Sequence, residues 1–275
     1  MPQLKILFLT ALKAEAQPLI TTYRLQKDST THLYSHTHID LLITGVGAVK
    51  TTERLNHYLK QNPDLSQTVV VNVGIAGGNP DQTEIGVLYR ANAIQDESNR
   101  RYFFPDILLR HGQKEILLTT VSKGIIENGE RYPGLVDMEG SAIFKIMSTT
   151  VPPHRLIFLK VVSDHMDVRD WKSLDVTGLI QNKVDEIQSI VESYHNEVLR
   201  DRQIFSSSEL AFLNQGIAQL KLTKTQQIQL LEWSESFKKR NGESIKLLKP
   251  FFAAAPKSKA ERNGIHEEIR QKLSA

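Results

Sequence analysis

Apolar runs and helical patterns alternate over the first 200 residues of the chain. Continuous or alternating apolar runs predict strands, at Leu4–Thr10, Thr31–Ile43 (as two segments), Thr68–Val73, Val87–Ile94, Glu115–Val121 and Leu156–Val162. Apolar residues at helical spacing predict helices between them, over Lys13–Tyr23, Ala48–Lys60, Met138–Met147 and Leu179–Leu199. This alternation is typical of an α/β protein whose sheet has helices on both faces.

The C-terminal part reads as helical throughout. Ser206 to Glu209 matches a capping box, which predicts a helix that runs to Leu220. Two more helices are predicted over Thr225–Phe237 and about Lys259–Leu273, with an apolar loop between Pro250 and Pro256. We therefore expect an α/β domain over residues 1–199 and a helical extension over residues 200–275.

Charge changes at the same boundary. Residues 1–199 carry 20 Lys and Arg against 23 Asp and Glu, whereas residues 200–275 carry 14 against 8. The basic residues of the extension are dispersed among acidic and apolar ones, which favours solvated helix faces over nucleic-acid binding. Its apolar positions need cover, from the first domain or from a protein partner, and include Leu210, Leu213, Leu220, Leu231, Trp233 and Phe251.

The composition is that of an ordinary globular protein, with 40% hydrophobic and 24% charged residues. The chain has no cysteine, which excludes disulfides, cysteine metal sites and thiol catalysis and fits a cytoplasmic protein. No apolar window approaches the roughly 18 residues that a membrane span needs, so no membrane partner is expected. His32, His36 and His38 are close in sequence, but without a further ligand a polar strand face is favoured over a metal site.

Three carboxylates fall where strands give way to turns or helices: Glu15, Glu139 and Asp164. Ligands of open α/β sheets bind at the C-terminal ends of strands, so this placement favours a site. Taken singly, each could instead cap a helix or favour its dipole. Glycine turns at Gly45–Gly47 and Gly74–Gly78 also close strands, but no dinucleotide fingerprint or P-loop is present. No cofactor is predicted.

The combination and order of these segments resemble the nucleoside phosphorylase/nucleosidase family, over about residues 4–199. The resemblance is closest to its hydrolases, which include methylthioadenosine/S-adenosylhomocysteine nucleosidase and futalosine hydrolase. It is carried by Ala11–Glu15, Thr44–Val49, Val71–Gly78, Val136–Gly140 and Val162–Asp164. It implies a nucleoside phosphorylase-like three-layer core with a mixed central sheet, and an enzyme that cleaves the N-glycosidic bond of a purine nucleoside.

The resemblance also implies roles for individual residues. Glu15 would activate water, Met138 and Glu139 would hold the ribose, and Asp164, oriented by Ser163, would protonate the leaving base at N7. Further substrate contacts are implied for Gly45, Gly74, Ile75, Ala76, Gly77 and Ile126. Breaking the bond to the base builds an oxocarbenium-like sugar, and two carboxyl groups in opposite protonation states suit that reaction.

Water is favoured over phosphate as the nucleophile. The phosphorylases of the family have an arginine where this chain has Asn72 and a serine where it has Ile75. Phosphate binding usually needs arginine or backbone amides. Arg90, Arg100 and Arg101 lie near in sequence, so phosphorolysis stays open as an alternative.

The chain departs from the nucleosidase pattern at the base site. The family's Gly-Asp-x-Phe segment, whose phenylalanine stacks on adenine, is replaced by Val121–Ile126. Ile126 cannot stack as an aromatic ring does, and Tyr132 is a possible substitute. A weakly catalytic nucleoside-binding module, whose extension recruits a partner, is therefore a second hypothesis. In the family the loop that corresponds to Asp96–Asp106 reaches a neighbouring active site, which implies a homodimer.

Overall fold

The structure, a computed structural model, describes residues 5–28, 32–65, 68–107, 109, 112–170, 173–202, 205–241 and 245–274. The side chains of residues 195–202, 239–241 and 274 lie outside that description. The chain divides into two compact units, Met1–His195 and Asn196–Ala275. Each unit is described by itself.

The first unit is built on a ten-stranded sheet. Its strands are β1 (Lys5–Thr10), β2 (Gln26–Lys27), β3 (Leu33–His36), β4 (Ile39–Ile43), β5 (Thr68–Gly78), β6 (Leu88–Asp96), β7 (Arg101–Phe103), β8 (Lys114–Thr120), β9 (Leu135–Asp137) and β10 (Leu156–Asp164). Its helices are α1 (Lys13–Thr22), α2 (Ala48–Gln61), α3 (Gly140–Met147), α4 (Val176–Gln181) and α5 (Val184–Arg202), of which α5 crosses the unit boundary.

The sheet is mixed and curls around its longest strand. The order is β10-β6-β8-β9-β5-β1-β4-β3-β2, with β7 on β6, and β10 also pairs with β5. The β5 strand runs parallel to β1 and β10 along most of its length and antiparallel to β9 at its last two glycines. The C-terminal ends of β5 and β10 therefore lie next to each other and next to β9, and the turn that follows β1 lies close to them.

Apolar side chains pack on both faces of this sheet, so every residue of β4 and β10 is buried, and so is every residue of β1 except Lys5. One large cluster holds Leu7, Leu9, Leu55, Phe158 and the inner face of α3, including Ile143. A smaller cluster of Val121, Tyr132, Val136 and Met166 lies near the C-terminal ends of β9 and β10. The predicted α/β class and mixed sheet are confirmed, and the three-layer arrangement stays a prediction.

Several predicted boundaries were wrong. The strand at Thr68 continues through Gly78, because both neighbouring strands bond to its glycine segment. The helix predicted over Leu179–Leu199 is two helices that meet at Asn182 and Lys183. Part of the apolar loop between the two prolines is a short helix. The short strands β2, β7 and β9 were not predicted. Thr31 lies outside the described residues.

The second unit is helical where it is described. Its helices are α6 (Ser207–Gln219), α7 (Lys224–Asn241), α8 (Lys249–Phe252) and α9 (Lys259–Ser274). The predicted capping box is present, since the Ser206 hydroxyl accepts from the Glu209 N–H and the Glu209 carboxylate accepts from the Ser206 N–H. The unit has its own apolar core, which includes Leu213, Leu230, Phe237, Leu248 and Ile269. Across both units, no described helix is long and apolar enough to span a bilayer.

Candidate functional site

A cavity of about 360 Å³ opens beside β9, where the C-terminal ends of β5 and β10 meet. Eight predicted site residues line it: Glu15, Ile75, Ala76, Gly77, Met138, Glu139, Ser163 and Asp164. The other lining residues are Ala11, Leu12, Val46, Val121, Gly124, Ile125, Val136, Asp137 and Met166. Residues that are 60 to 150 positions apart in sequence therefore share one cavity.

Glu15 stands in the first turn of α1 and is 3% exposed. Its Oε2 accepts from the backbone N–H groups of Ala11 and Leu12, both at 2.8 Å, and its Oε1 accepts from the Ile75 N–H at 2.9 Å. The carboxylate therefore also caps α1, as the structural alternative predicted. Burial raises the pKa of Glu15, against the opposing effects of Lys160 and the three N–H donors.

The Glu139 carboxylate does not cap the helix that it precedes. Glu139 is the N-cap residue of α3, yet its side chain makes no cap hydrogen bond. The Asp137 carboxylate instead accepts from the Gly140 N–H at 2.9 Å. The Glu139 carboxylate instead accepts a hydrogen bond from the Gly47 N–H at 2.6 Å, which joins α3 to the turn before α2. Burial, and then repulsion by Asp137, raise the pKa of Glu139 to about 7.

Asp164 ends β10 and is held by two donors. The Met166 N–H donates to Oδ1 at 2.7 Å, and the Ser163 hydroxyl donates to Oδ2 at 2.5 Å. The same hydroxyl lies 3.3 Å from the Ala76 carbonyl oxygen. When Asp164 is protonated, Ser163 can accept from it and donate to Ala76 instead. The serine can thus serve both protonation states of the carboxyl group.

Lys160 was missed by the sequence analysis. It lies on β10 with 2% exposure, and its Nζ is 2.9 Å from Asp137 Oδ2. Burial alone would lower its pKa, but the carboxylates of Asp137, Glu139 and Glu15 together raise it. A lysine inside an otherwise apolar predicted strand was the available signal, because a buried amine needs a counter-charge.

Gly45, Gly47 and Gly74 act through the backbone and do not line the cavity. A Cβ on Gly74 would lie 2.8 Å from Glu15 Oε1, so only glycine lets that carboxylate sit against β5. Gly45 and Gly47 have φ angles of +78° and +88°, which side-chain-bearing residues rarely adopt. Their turn aims the Gly47 N–H at Glu139. Contact of Gly45 and Gly74 with substrate stays a prediction.

The apolar wall of the cavity differs in detail from the prediction. Ile125 lines the cavity, whereas Ile126 does not and is 45% exposed. Tyr132 packs behind the wall with Met166, and its hydroxyl donates to Glu97 at 2.8 Å. No aromatic residue is among the described residues that line the cavity. Tyr132 therefore does not provide the predicted substitute clamp in this arrangement.

The cationic side chains considered for phosphate lie elsewhere. Arg90 is buried, donates to the Leu109 carbonyl oxygen and to the Tyr194 hydroxyl, and lies over the Tyr194 ring. Asn72 donates to the Leu9 carbonyl oxygen at 3.0 Å, within the sheet. No lysine, arginine or histidine is among the described residues that line the cavity. Nor do the described residues contain a His, Asp and Glu group suited to a metal ion.

Comparisons with solved structures identify the same architecture. Similar structures are a 5'-methylthioadenosine nucleosidase from Arabidopsis thaliana (TM-score 0.58, 19% identity, 71% of this chain and 97% of that chain), a putative 5'-methylthioadenosine/S-adenosylhomocysteine nucleosidase from Borrelia burgdorferi bound to adenine (0.56, 15%, 68% and 99%), and the futalosine hydrolase of Helicobacter pylori (0.56, 16%, 69% and 97%). No protein-family model and no curated protein sequence matches the chain.

At these identities the likeness establishes the fold. Nearly the whole length of each solved chain is covered, whereas about three-tenths of this chain has no counterpart in them. The motifs quoted from the sequence thus predicted the architecture that the comparisons find. The chain carries a nucleosidase-like α/β fold together with a separate helical unit.

Proposed function

We propose that the first unit hydrolyses the N-glycosidic bond of a purine nucleoside. The observation that carries this proposal is the meeting of Glu15, Glu139 and Asp164 in one cavity, each carboxylate held by its own donors. They come from three distant segments, and a nucleosidase-like fold surrounds them.

In this mechanism Glu15 acts as the general base. It accepts a proton from a water molecule as the water oxygen bonds to C1′ of the ribose and the bond from C1′ to the base nitrogen breaks. A buried carboxylate with a raised pKa is a better base near neutral pH than an exposed one. The three backbone N–H groups that donate to Glu15 fix the orientation of its carboxylate. The nearby positive charge of Lys160 opposes protonation of this carboxylate.

Asp164 is the proposed general acid. It gives its proton to N7 of the purine as the base departs, which avoids expelling an anion. Ser163 supports both forms of the carboxyl group. The proton that Glu15 gained and the proton that Asp164 lost are then exchanged with solvent. The products are a free base and a sugar with a hydroxyl at C1′.

Glu139 is the proposed ribose ligand. Its ionised carboxylate would accept hydrogen bonds from the sugar hydroxyls, and its negative charge would stabilise the oxocarbenium-like transition state. Met138 lies beside it on the cavity wall. Ile125, Met138 and Met166 provide an apolar surface for a flat base. A methylthioadenosine-like or related nucleoside fits this lining, because none of the described lining residues is a cation that could pair with a charged 5′ substituent.

Water is the proposed nucleophile because the cavity carries negative charge. A phosphate dianion would face Glu15, Asp137, Glu139 and Asp164 with no cationic lining residue among those described. Lys160 lies behind the wall and is already paired with Asp137. Phosphorolysis is accordingly the weaker alternative. None of the lining residues that the structure describes is aromatic, which supports the other alternative, a weakly catalytic nucleoside-binding module.

We also infer a homodimer for the first unit. Large apolar side chains are exposed in and after the Gly45–Gly47 turn (Val46 and Val49), on β7 and just after it (Tyr102 and Phe104) and next to Ile125 (Ile126). Exposed apolar patches often mark a protein interface. Light scattering on the purified full chain measures the oligomeric state directly, and a mass of one chain would contradict the inference.

The catalytic roles are tested by base release from variants of the full chain. Asp164→Asn is isosteric but cannot act as the acid, so we expect a loss of about 10²–10⁴-fold. Glu15→Gln is expected to lose at least as much. Glu115→Gln, at the exposed start of β8 and outside the cavity, is the matched control and should retain full activity. An Asp164→Asn enzyme that keeps more than about a tenth of the activity would contradict the role of Asp164.

A further inference from the structure

A second cavity lies in the first unit, beside α2 and the β3–β4 hairpin. It has a volume of about 220 Å³ and does not share a lining residue with the first. Its polar lining residues are His32, Glu53, Arg54, His57, Tyr58 and Gln61, and Leu33 and Leu42 complete it. Three of these side chains are cationic or can become so.

Most N–H donors of the side chains that line this cavity have no acceptor among the described residues. Arg54 Nη1 donates to the Ile43 carbonyl oxygen at 2.7 Å. Within the described part of the chain, the guanidinium has no other hydrogen-bond or ion-pair partner, and neither His32 nor His57 has one. A guanidinium presents five N–H groups in a planar fork. The cavity therefore offers a half-buried arginine and two imidazoles to a ligand.

Two cationic side chains, Arg54 and Lys27, lie close enough to this cavity to act on His32. Burial and then the charges of Arg54 and Lys27 lower the pKa of His32, so two cations act on that imidazole. Glu53 is the one acid among the described lining residues. Asp40 faces Tyr58 from β4, but it accepts from the Tyr58 hydroxyl and is paired with Lys5 at 2.6 Å.

We propose that this second cavity binds a phosphate group through Arg54, His32 and His57. A guanidinium fork matches two phosphate oxygens, and flanking imidazole N–H groups can reach the others. A metal ion is disfavoured, since the described histidines and acids form no group suited to one. The chemistry fits free phosphate or the phosphate of a small monoester.

The site is linked to the first cavity through the Thr44–Gly47 turn. Arg54 is bonded to Ile43 at the start of that turn, and a Cβ on Gly45 would lie 3.2 Å from Arg54 Nη1. At the far end of the turn, the Gly47 N–H donates to Glu139. A ligand that changes the orientation of the Arg54 guanidinium would therefore shift the turn, and with it the Gly47 N–H that donates to Glu139. Phosphate would then alter the hydrolysis rate without being consumed, a consequence that rests on the proposed function.

The test is calorimetric titration of the full chain with inorganic phosphate and, separately, with ribose 5-phosphate. We expect saturable binding of at least one of them at millimolar concentration, weakened about tenfold or more in Arg54→Met. His57→Gln, at an exposed position, should weaken it as well and guards against misfolding of the arginine variant. Lys60→Met, an exposed cation of the same helix outside the cavity, is the matched control and should bind like the wild type.

The outcomes separate this proposal from the proposed function. No saturable binding of either compound up to about 50 mM would overturn the site. So would binding that survives in both Arg54→Met and His57→Gln. Analysis of the sugar product tests the proposed function separately. If the product is a free sugar and phosphate changes its rate of formation, the result supports the link between the second cavity and Glu139. A sugar 1-phosphate would contradict hydrolysis and leave the binding result standing.

Discussion

Lys160 Nζ lies 2.9 Å from the Asp137 carboxylate, and both side chains are almost fully buried. Asp137 also accepts from the Thr120 hydroxyl and the Gly140 N–H, so the ion pair is tied to β8 and α3. Burial of a charge is tolerated where it is paired and hydrogen-bonded. The pair brings one fixed positive charge next to Glu15 and Glu139.

The first prediction concerns this lysine. Lys160→Met leaves Asp137 buried without its partner, which should lower the free energy of unfolding by about 3–5 kcal/mol. It should also raise the pKa values of Glu15 and Glu139, so the acid limb of the kcat/KM profile moves to higher pH. Lys160→Arg should retain the wild-type profile, and Lys160→Met with Asp137→Asn should recover stability. A profile that does not move in the folded Lys160→Met enzyme would contradict the role of Lys160.

The second prediction follows from the pKa of Glu139, raised to about 7 by burial and Asp137. If the ionised form holds the ribose, kcat/KM should fall as the pH drops below about 7. The folded pKa exceeds the unfolded value, so the folded state binds more protons, and this group's contribution to stability falls as pH rises from about 4.5 to above 7. Glu139→Gln should therefore raise the melting temperature at pH 8 while it weakens substrate binding. A melting temperature unchanged at pH 8 would contradict the raised pKa.

The third prediction concerns Gly74. A Cβ at this position would lie 2.8 Å from Glu15 Oε1, so Gly74→Ala must displace the proposed base. Overpacking of this kind lowers the free energy of unfolding by about 1–3 kcal/mol. The rate of base release should fall even under conditions in which the variant stays folded. Gly264→Ala in α9 is the matched control, because a Cβ there meets nothing within 4 Å. It should leave base release unchanged and stabilise its helix by up to about 1 kcal/mol. Equal activity in the two alanine variants would contradict the placement of Glu15.

The sequence predicted more of the fold than of the site's surroundings. Buried runs such as Leu156–Val162 predicted strands correctly because both faces of the sheet are covered. Glu15 and Asp164 could be placed because they lie just after and at the end of predicted strands, whereas Glu139 was placed by the helix predicted around it, since β9 was not predicted. Lys160 could not be assigned, since its partner Asp137 comes from another strand and their pairing depends on the curl of the sheet. Ile126 was predicted to contact the substrate, but Ile125 lines the cavity and Ile126 is exposed. The sequence of a loop has no periodicity from which the inward-pointing side chain could be predicted.

The fourth prediction concerns the second unit. His266 is buried beside Trp233, with ring centroids 4.8 Å apart, and its Nε2 lies 3.3 Å from the Gln226 carbonyl oxygen. Burial lowers the pKa of His266. The unfolded chain therefore binds a proton at a higher pH than the folded one, and the unit loses stability as pH falls through about 6.5.

Tryptophan fluorescence measures this loss. The chain has two tryptophans, so Trp171→Phe leaves Trp233 as the reporter of the second unit. Its urea midpoint should be lower at pH 5.5 than at pH 7.5, and His266→Gln should remove most of the difference. A midpoint that is equally pH-dependent in His266→Gln would assign the effect to another group.

The central claim is tested most directly by free-base release from a nucleoside panel, with and without phosphate. The panel contains methylthioadenosine, S-adenosylhomocysteine, futalosine, inosine and uridine, and the sugar product is identified in each case. The account predicts base release from a purine nucleoside without phosphate, a free sugar as the second product, and loss of both in Asp164→Asn. Release only with phosphate, with a sugar 1-phosphate as product, would contradict it, and so would no release from any purine nucleoside of the panel.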